Sequence, residues 1–269
     1  MSTNDVVLSG ISAVLVLLVV TACAPKGGKS SVNASGGGAV VTACVLPVTE
    51  ANTIQGHWAT TPAKVSLHVG DFDPSEVNAI QAGGASWNTF FQASKSFNMF
   101  DMGPPGGGNI SSNAQSTPTC GSGTLADGTV LYKRFSNWTH NAAAIAVTTT
   151  CFTPNNNGGL ATIFNAIMEF NYVNFYVASA GRFPDMQSIA VHELGHLLGL
   201  DHTCGPLGRP NQAKPFTACP DVNADPNNPV IATVMFPQVF FDPSGAGEVK
   251  QILTADDQGR ANCAYTPGN

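Results

Sequence analysis

The sequence predicts a domain of the α+β class, and two patterns along the chain support this prediction. Before residue 180, segments with apolar residues at alternate positions dominate, as expected for half-buried strands. After residue 180, apolar residues recur mainly at the spacing of helices. Strands and helices that are separated along the chain are typical of the α+β class.

Size and charge limit the organisation and the partners that we expect. The chain has 269 residues, of which 43% are hydrophobic, so one domain of about 200 residues with appendages fits the usual size range. The formal charge of −6 comes from 17 acidic and 11 basic residues that are dispersed along the chain. Surfaces that bind nucleic acid or anionic membranes carry clustered Lys and Arg. We therefore expect no nucleic-acid partner. We also expect a monomer.

The N-terminus resembles the export signal of a bacterial lipoprotein. Residues 6–22 carry no charge and lead directly into Cys23. This length suits the apolar region of a signal peptide and lies at the short end of the roughly 17 to 25 residues that a membrane-spanning helix needs. Residues 20–23, VTAC, resemble a lipobox. We predict a signal peptide over residues 1–22 and lipidation of Cys23, with a transmembrane anchor as the alternative.

The remaining cysteines agree with export. Without Cys23, six are left: Cys44, Cys120, Cys151, Cys204, Cys219 and Cys263. In an oxidising compartment we expect them to form up to three disulfides, and buried free thiols are the alternative. Proximity along the chain favours Cys204 with Cys219 and Cys120 with Cys151.

The folded domain is predicted over residues 62–269, after a lipid-anchored flexible linker over residues 23–61 whose first part is rich in Gly, Ser and Lys. Alternating apolar residues in KVSLHVGDF predict its first strand. A helix should follow, because Asp73 suits an N-cap, Pro74 the first helical position and Glu76 the third position of a capping box.

The later elements follow from similar local patterns. Residues 94–128 contain GPPGGGN and GSG and should be rich in loops. Strands are expected around residues 130–135 and 143–149 and again in LATIF and AIMEFNYVNFYV. In the segment LTADDQGRANCAY, Thr254 as N-cap and two acids in the first turn predict a C-terminal helix.

The segment VHELGHLLGLDH carries a metal-binding pattern. His192 and His196 are four residues apart and therefore lie on one face of a helix. His202 would lie about 15 Å along the axis from His192 if the helix continued at roughly 1.5 Å per residue, which is too far for a shared ion. Gly199 resolves this, because a glycine can end the helix and turn the chain back.

Three neutral histidines leave a fourth position open, which is typical of a catalytic zinc site. Glu193 could then act as general base on the zinc-bound water and pass the proton to the leaving amine. The alternative is an amphipathic helix with incidental histidines. Asp201 could replace a histidine as ligand, and we expect His68 and His140 to be ordinary surface or core histidines.

The pattern H-E-x-x-H-x-x-G-x-x-H resembles the zinc signature of the metzincin proteases. Met235, in TVMFPQVF, resembles the Met-turn that packs beneath the three imidazoles in that family. The first and last helices are similar to those of matrixins, the group that includes the matrix metalloproteinases. The resemblance implies a twisted, mostly parallel sheet with an antiparallel edge strand, an active-site helix and a C-terminal helix.

The same resemblance implies a substrate cleft. Leu160, Ala161 and Thr162 begin a segment, residues 160–164, that resembles the antiparallel edge strand, whose backbone would pair with an extended peptide. Pro237 and Val239 would belong to the wall of the pocket after the Met-turn. We expect one catalytic Zn²⁺ ion. Matrixins often hold a second, structural zinc, but Thr162 and Glu169 stand at the matching positions, so we expect none, and the sequence offers no support for calcium.

The leading hypothesis is a zinc metalloendopeptidase that hydrolyses extracellular or periplasmic proteins. It would be exported and held at the cell envelope through its N-terminal lipid anchor, its only membrane contact. The main alternative is a zinc-stabilised, non-catalytic binding or adhesion module, which would have no chemical need for Glu193. A third hypothesis keeps the hydrolysis but takes peptidoglycan cross-links as the substrate.

Overall fold

The structure, a computed structural model, describes residues 40–44, 53–112, 129–155, 160–205 and 218–266, and the backbone alone of residues 12–19. Within these ranges it combines a mostly parallel sheet with three α-helices, which is consistent with the predicted α+β class. The strands are β1 (Ser12–Val19), β2 (Gly56–Trp58), β3 (Ala63–His68), β4 (Phe100–Asp101), β5 (Asn109–Ser111), β6 (Thr129–Arg134), β7 (Ala144–Thr153) and β8 (Ala161–Asn171). The helices are α1 (Pro74–Lys95), α2 (Met186–Leu197) and α3 (Ala255–Ala264).

The sheet has the strand order β1-β7-β8-β6-β3-β4, with β2 paired to β8 and β5 paired to β3. The pairs of β8 with β6, of β6 with β3 and of β2 with β8 are parallel. The pairs of β7 with β8 and of β1 with β7 are antiparallel. Strand β7 therefore runs opposite to its neighbours, and both antiparallel pairs lie at one side of an otherwise parallel sheet.

The position predicted for the antiparallel edge strand is wrong. Leu160 directly precedes β8, and Ala161 begins it and pairs with Gly56 of β2. Thr162 pairs with Thr153 of β7 on one side and with His57 of β2 on the other, so from Thr162 onward this backbone cannot receive an added strand. The antiparallel strand next to β8 is β7. Alternating apolar residues show which face of a strand is buried but not which strands are its neighbours.

The chain before residue 62 is not a simple linker. Residues 56–58 form β2, and Val41 N–H donates a hydrogen bond of 3.0 Å to Gln258 Oε1 on α3. A disulfide joins Cys44 to Cys263 at the end of α3. These parts of the predicted linker therefore belong to the folded domain, whereas residues 23–39 and 45–52 lie outside the described residues. Residues 12–19 of the predicted signal peptide form β1.

Helix α1 begins as its sequence predicts. Asp73 Oδ1 accepts hydrogen bonds from the N–H groups of Ser75 at 2.8 Å and Glu76 at 3.0 Å, and Asp73 N–H donates to Glu76 Oε2 at 2.8 Å, which completes the capping box. The helix buries one face against α2 and the sheet. On this face Trp87 is fully buried, and its indole N–H donates to Val191 O at 2.8 Å. Helix α1 thus fixes α2 against the main core.

The disulfides indicate an oxidising, extracellular setting. The predicted pair Cys204–Cys219 is confirmed, and Cys44 pairs with Cys263 across a sequence separation of 219. Cys151 is also disulfide-bonded, with its partner outside the described residues; Cys120 and Cys23 also lie outside them. In the part of the chain that the structure describes, no helix is long and apolar enough to cross a membrane.

We expect the double substitution Cys44→Ser and Cys263→Ser to destabilise the protein by on the order of 2–5 kcal/mol, because this disulfide ties the N-terminal segment to α3 across most of the chain. Thermal unfolding without reductant, followed by far-UV circular dichroism, measures the effect. An unchanged midpoint would show that the hydrogen bonds between residue 41 and α3 hold the segment without the covalent bond.

Candidate metal centre

Three buried histidines converge on one point. His192 and His196 lie on α2, and His202 lies on the loop that follows it. One ligand nitrogen from each ring lies within 4.8 Å of those of the other two. Among the described residues this is the one group of this kind, and its geometry allows it to hold a metal ion.

Gly199 allows the chain to turn as the sequence predicts. Its φ of 107° is in the region that favours glycine, and a Cβ there would lie 1.9 Å from the carbonyl oxygen of Gly56. Helix α2 ends at Leu197, and the next turn is closed by a hydrogen bond of 3.0 Å from Leu200 N–H to Gly195 O. The helix therefore ends between the second and third histidines, and His202 returns to the first two.

Backbone carbonyls orient the two helical imidazoles. His192 Nδ1 lies 2.6 Å from Val234 O, and His196 Nδ1 lies 2.8 Å from Leu200 O. A carbonyl oxygen can only accept a hydrogen bond, so both Nδ1 atoms carry the proton and both Nε2 atoms present a lone pair. These two Nε2 atoms are 3.0 Å apart. This arrangement is the usual one for histidines that bind a metal through Nε2.

The environment keeps the first histidine neutral. The pKa of His192 is lowered to about 4, mainly by burial; the hydrogen bond to Val234 opposes this shift, and the charges of Lys250 and Arg260 add to it. At neutral pH the ring is therefore uncharged, and its lone pair is available. A metal ligand requires this protonation state.

Glu193 is a fully buried carboxyl group on α2 beside the first histidine. Thr148 Oγ1, on β7, donates a hydrogen bond of 2.6 Å to Glu193 Oε2, whereas the buried Oε1 has no hydrogen-bond partner among the described residues. Burial raises the pKa of Glu193 to about 8, and the bond from Thr148 opposes this rise. A buried carboxyl oxygen without a partner is costly, and a cation or a polar ligand at the site would offset that cost. The residues present therefore fit a metal centre.

Met235 packs against α2 at Gly195, which lies between His192 and His196 in the sequence. A Cβ on Gly195 would lie 2.2 Å from Met235 Sδ, so glycine at this position makes room for the thioether. Asp257 on α3 fixes the turn at residues 234–235, here named the Met235 turn. Its carboxyl group accepts hydrogen bonds from Val234 N–H at 3.0 Å and Met235 N–H at 3.2 Å. The sequence indicated Asp257 only as an acid in the first turn of a helix.

Asp201 does not point to the ligand cluster as an alternative ligand would. It is fully buried, its Oδ1 accepts a hydrogen bond of 2.8 Å from His202 N–H, and its Oδ2 accepts one of 2.5 Å from Gln55 Nε2. Arg260 Nη1 donates to Asp201 O at 3.0 Å. Sequence reasoning missed Thr148, Gln55 and Arg260, since no local motif connects residues so far apart in the chain.

Pro237, Val239 and Glu169 are the remaining residues that the sequence singled out. Pro237 and Val239 follow Met235 and are buried, Val239 within the main core, and their contact with substrate stays a prediction. Glu169 accepts hydrogen bonds from Arg134 Nε at 2.5 Å and from His140 Nε2 at 2.9 Å. Arg134 therefore supplies a positive charge directly at this carboxylate.

No protein-family model matches the chain, and searches of the curated proteins and of the solved structures return no match either.

We expect the purified protein to bind about one zinc ion per chain and His202→Ala to lose most of that zinc, because the substitution removes one of three ligands. His68→Ala is the matched control, since His68 pairs with Asp71 on a different part of the sheet. Elemental analysis after dialysis measures the zinc content. Equal zinc in the two variants would contradict a site built on the three histidines.

Proposed function

We propose that the protein is a zinc-dependent endopeptidase. The observation that carries this proposal is the fully buried carboxyl group of Glu193 on the same helix as two of three convergent imidazoles. Three neutral nitrogen ligands suit zinc and leave a position for a substrate or water molecule. The resemblance of the segment from His192 to His202 to the metzincin signature supports the same proposal.

The histidines and Glu193 would have different roles in the reaction. His192, His196 and His202 would hold the ion, which supplies Lewis acidity toward the scissile carbonyl and lowers the pKa of a water molecule. Glu193 Oε1 would accept the proton of the attacking water and deliver it to the amine that leaves. Thr148 holds the other carboxyl oxygen, Oε2, and so fixes the orientation of the group.

A non-catalytic binding module is the principal alternative. Such a module needs the metal and its ligands but has no use for a buried carboxyl group beside them. Burying Glu193 costs free energy, as the rise of its pKa to about 8 shows. This cost favours the catalytic hypothesis.

We propose that the substrate is an extended polypeptide that adds to the outer edge of β7. The supporting observation is that β1 already pairs with this edge in antiparallel orientation, from Ser12 opposite Phe152 to Val19 opposite Ala144. An edge that accepts one extended segment of chain has the backbone geometry to accept another. Cleavage before Cys23 would remove β1 and open the edge. A polypeptide suits this edge better than a peptidoglycan cross-link does.

The proposed setting is outside the cytoplasm. The disulfides suit an oxidising compartment, and we propose that lipidation of Cys23 anchors a monomer at the cell envelope. The substrates would then be extracellular or periplasmic proteins.

We expect Glu193→Gln to retain zinc and to lose peptide hydrolysis by roughly 10² to 10⁴-fold, because an amide cannot take the proton of water. Cleavage of casein, measured beside zinc content, tests this. His202→Ala is the contrasting variant, which should lose zinc and activity together. If the zinc-loaded wild type cleaves nothing in a broad peptide library, or if Glu193→Gln cleaves as fast as the wild type, the binding-module alternative replaces this proposal.

We expect Thr148→Val to lower kcat by ~10- to 100-fold with little change in KM. In the zinc-loaded protein the charge of the ion would favour the carboxylate form of Glu193, and a hydrogen bond to a charged group contributes about 1.5–3 kcal/mol. Thr148→Ser keeps the hydroxyl and should retain most of the activity. Thr149→Val is the matched control, since the buried Thr149 hydroxyl has no hydrogen-bond partner among the described residues. Steady-state kinetics on one peptide compares the three variants. Equal losses at positions 148 and 149 would mean that packing of β7, and not the bond to Glu193, is responsible.

A further inference from the structure

The third ligand is held differently from the first two. His192 and His196 are fixed by the hydrogen bonds of α2, whereas His202 lies three residues beyond the glycine that ends the helical turn. Its position relative to the other two therefore depends on whatever holds residues 199–201. Much of that support comes from residues 53–58, here named the strap.

The backbone of the strap pairs with this loop. Gln55 N–H donates a hydrogen bond of 2.8 Å to Gly199 O, and Asp201 N–H donates one of 2.7 Å to Thr53 O. Between them, Ile54 forms an antiparallel bridge with Leu200. The loop before His202 is thus paired on one side by the strap.

A side-chain relay extends this pairing to the ligand itself. Gln55 Nε2 donates to Asp201 Oδ2 at 2.5 Å, and Asp201 Oδ1 accepts from the backbone N–H of His202 at 2.8 Å. Asp201 is fully buried, so solvent cannot substitute for either bond. The strap therefore reaches the backbone of the third ligand through a single carboxylate.

The strap also closes the end of α2. Trp58 Nε1 donates to Leu197 O at 2.8 Å, which satisfies one of the carbonyls that a helix end leaves without an intrahelical partner. The backbone of Gly56 lies so close to Gly199 that no side chain fits there. Both the end of the helix and the loop after it are therefore held by the same six residues.

We propose that the strap is a positioning element of the metal centre and that Gln55, acting through Asp201, sets the zinc affinity by holding His202. This inference rests on the proposed zinc centre but not on peptide hydrolysis. Gln55 precedes the pairing of β2 with β8, which begins at Gly56, so its side chain can be changed without removing a partner of the sheet. Partners that orient a metal ligand typically alter metal affinity by about 10- to 100-fold when they are lost.

The test uses the whole folded protein and two metal probes, Zn²⁺ for affinity and Co²⁺ for the visible spectrum. We expect Gln55→Ala to weaken zinc binding by roughly 10-fold or more and to change the Co²⁺ absorption bands, which report ligand geometry. Gln55→Glu should weaken it further, because a second carboxylate would face Asp201. Gln92→Ala, an exposed glutamine of α1, is the matched control and should bind zinc as the wild type does.

A rescue variant separates positioning from general destabilisation. In the double variant Gln55→Glu with Asp201→Asn, the new amide can donate to the new carboxylate while its oxygen still accepts from His202 N–H. We expect this exchange of donor and acceptor to restore zinc affinity to within a few-fold of the wild type. Unfolding of the metal-free proteins provides the check that all variants fold.

The outcomes are distinct. Weaker binding in both single variants, with recovery in the double variant, supports the inference. Single variants that bind zinc as tightly as the wild type overturn it, and so does a double variant as weak as Gln55→Glu alone. A wild-type protein that binds no zinc would remove the proposed metal centre and this inference together. If the wild type is an active zinc protein and the Gln55 variants bind zinc as tightly as it does, this inference alone fails.

Discussion

The convergence of three imidazoles, two of which belong to a helix and one of which does not, is the constraint on which the rest of the structure depends. It requires α2 to stop within one turn of His196, and Gly199 makes this stop with a positive φ. It also exposes carbonyls at the end of the helix. Leu200 O accepts from His196, and the indole of Trp58 donates to Leu197 O. The same turn therefore both ends the helix and orients a ligand.

The convergence of the histidines is accompanied by several polar side chains that are fully buried around the cluster. Asp201, Asp257 and Arg260 are all without solvent exposure, and burying such groups is unfavourable unless each is hydrogen-bonded. Their partners include backbone groups of the segments that carry His202 and Met235. The protein thus uses buried charges to fix loops that no regular secondary structure would hold. Charged side chains are rarely buried, and a cluster of them in the interior is typical of a functional site.

The N-terminal part of the chain contributes at two places on the sheet. Strand β1 lies on the outer edge of β7, and β2 lies beside β8 and next to the loop that carries His202. The disulfide from Cys44 joins the same part of the chain to α3, which in turn holds the Met235 turn through Asp257. The metal centre is therefore surrounded by segments from both ends of the sequence.

The sequence by itself determined what depends on near neighbours. The spacing of His192 and His196, the turn at Gly199, the capping box at Asp73, the N-cap at Thr254 and the short disulfide Cys204–Cys219 could all be predicted, because each involves residues within one helical turn or one loop. Only the tertiary structure decided that β7, and not residues 160–164, is the antiparallel strand, and that Cys44 pairs with Cys263. It alone also showed that Thr148 contacts Glu193 and that Gln55 contacts Asp201. These contacts join distant parts of the chain, and an alternating or helical pattern reports which face of an element is buried without stating what covers it.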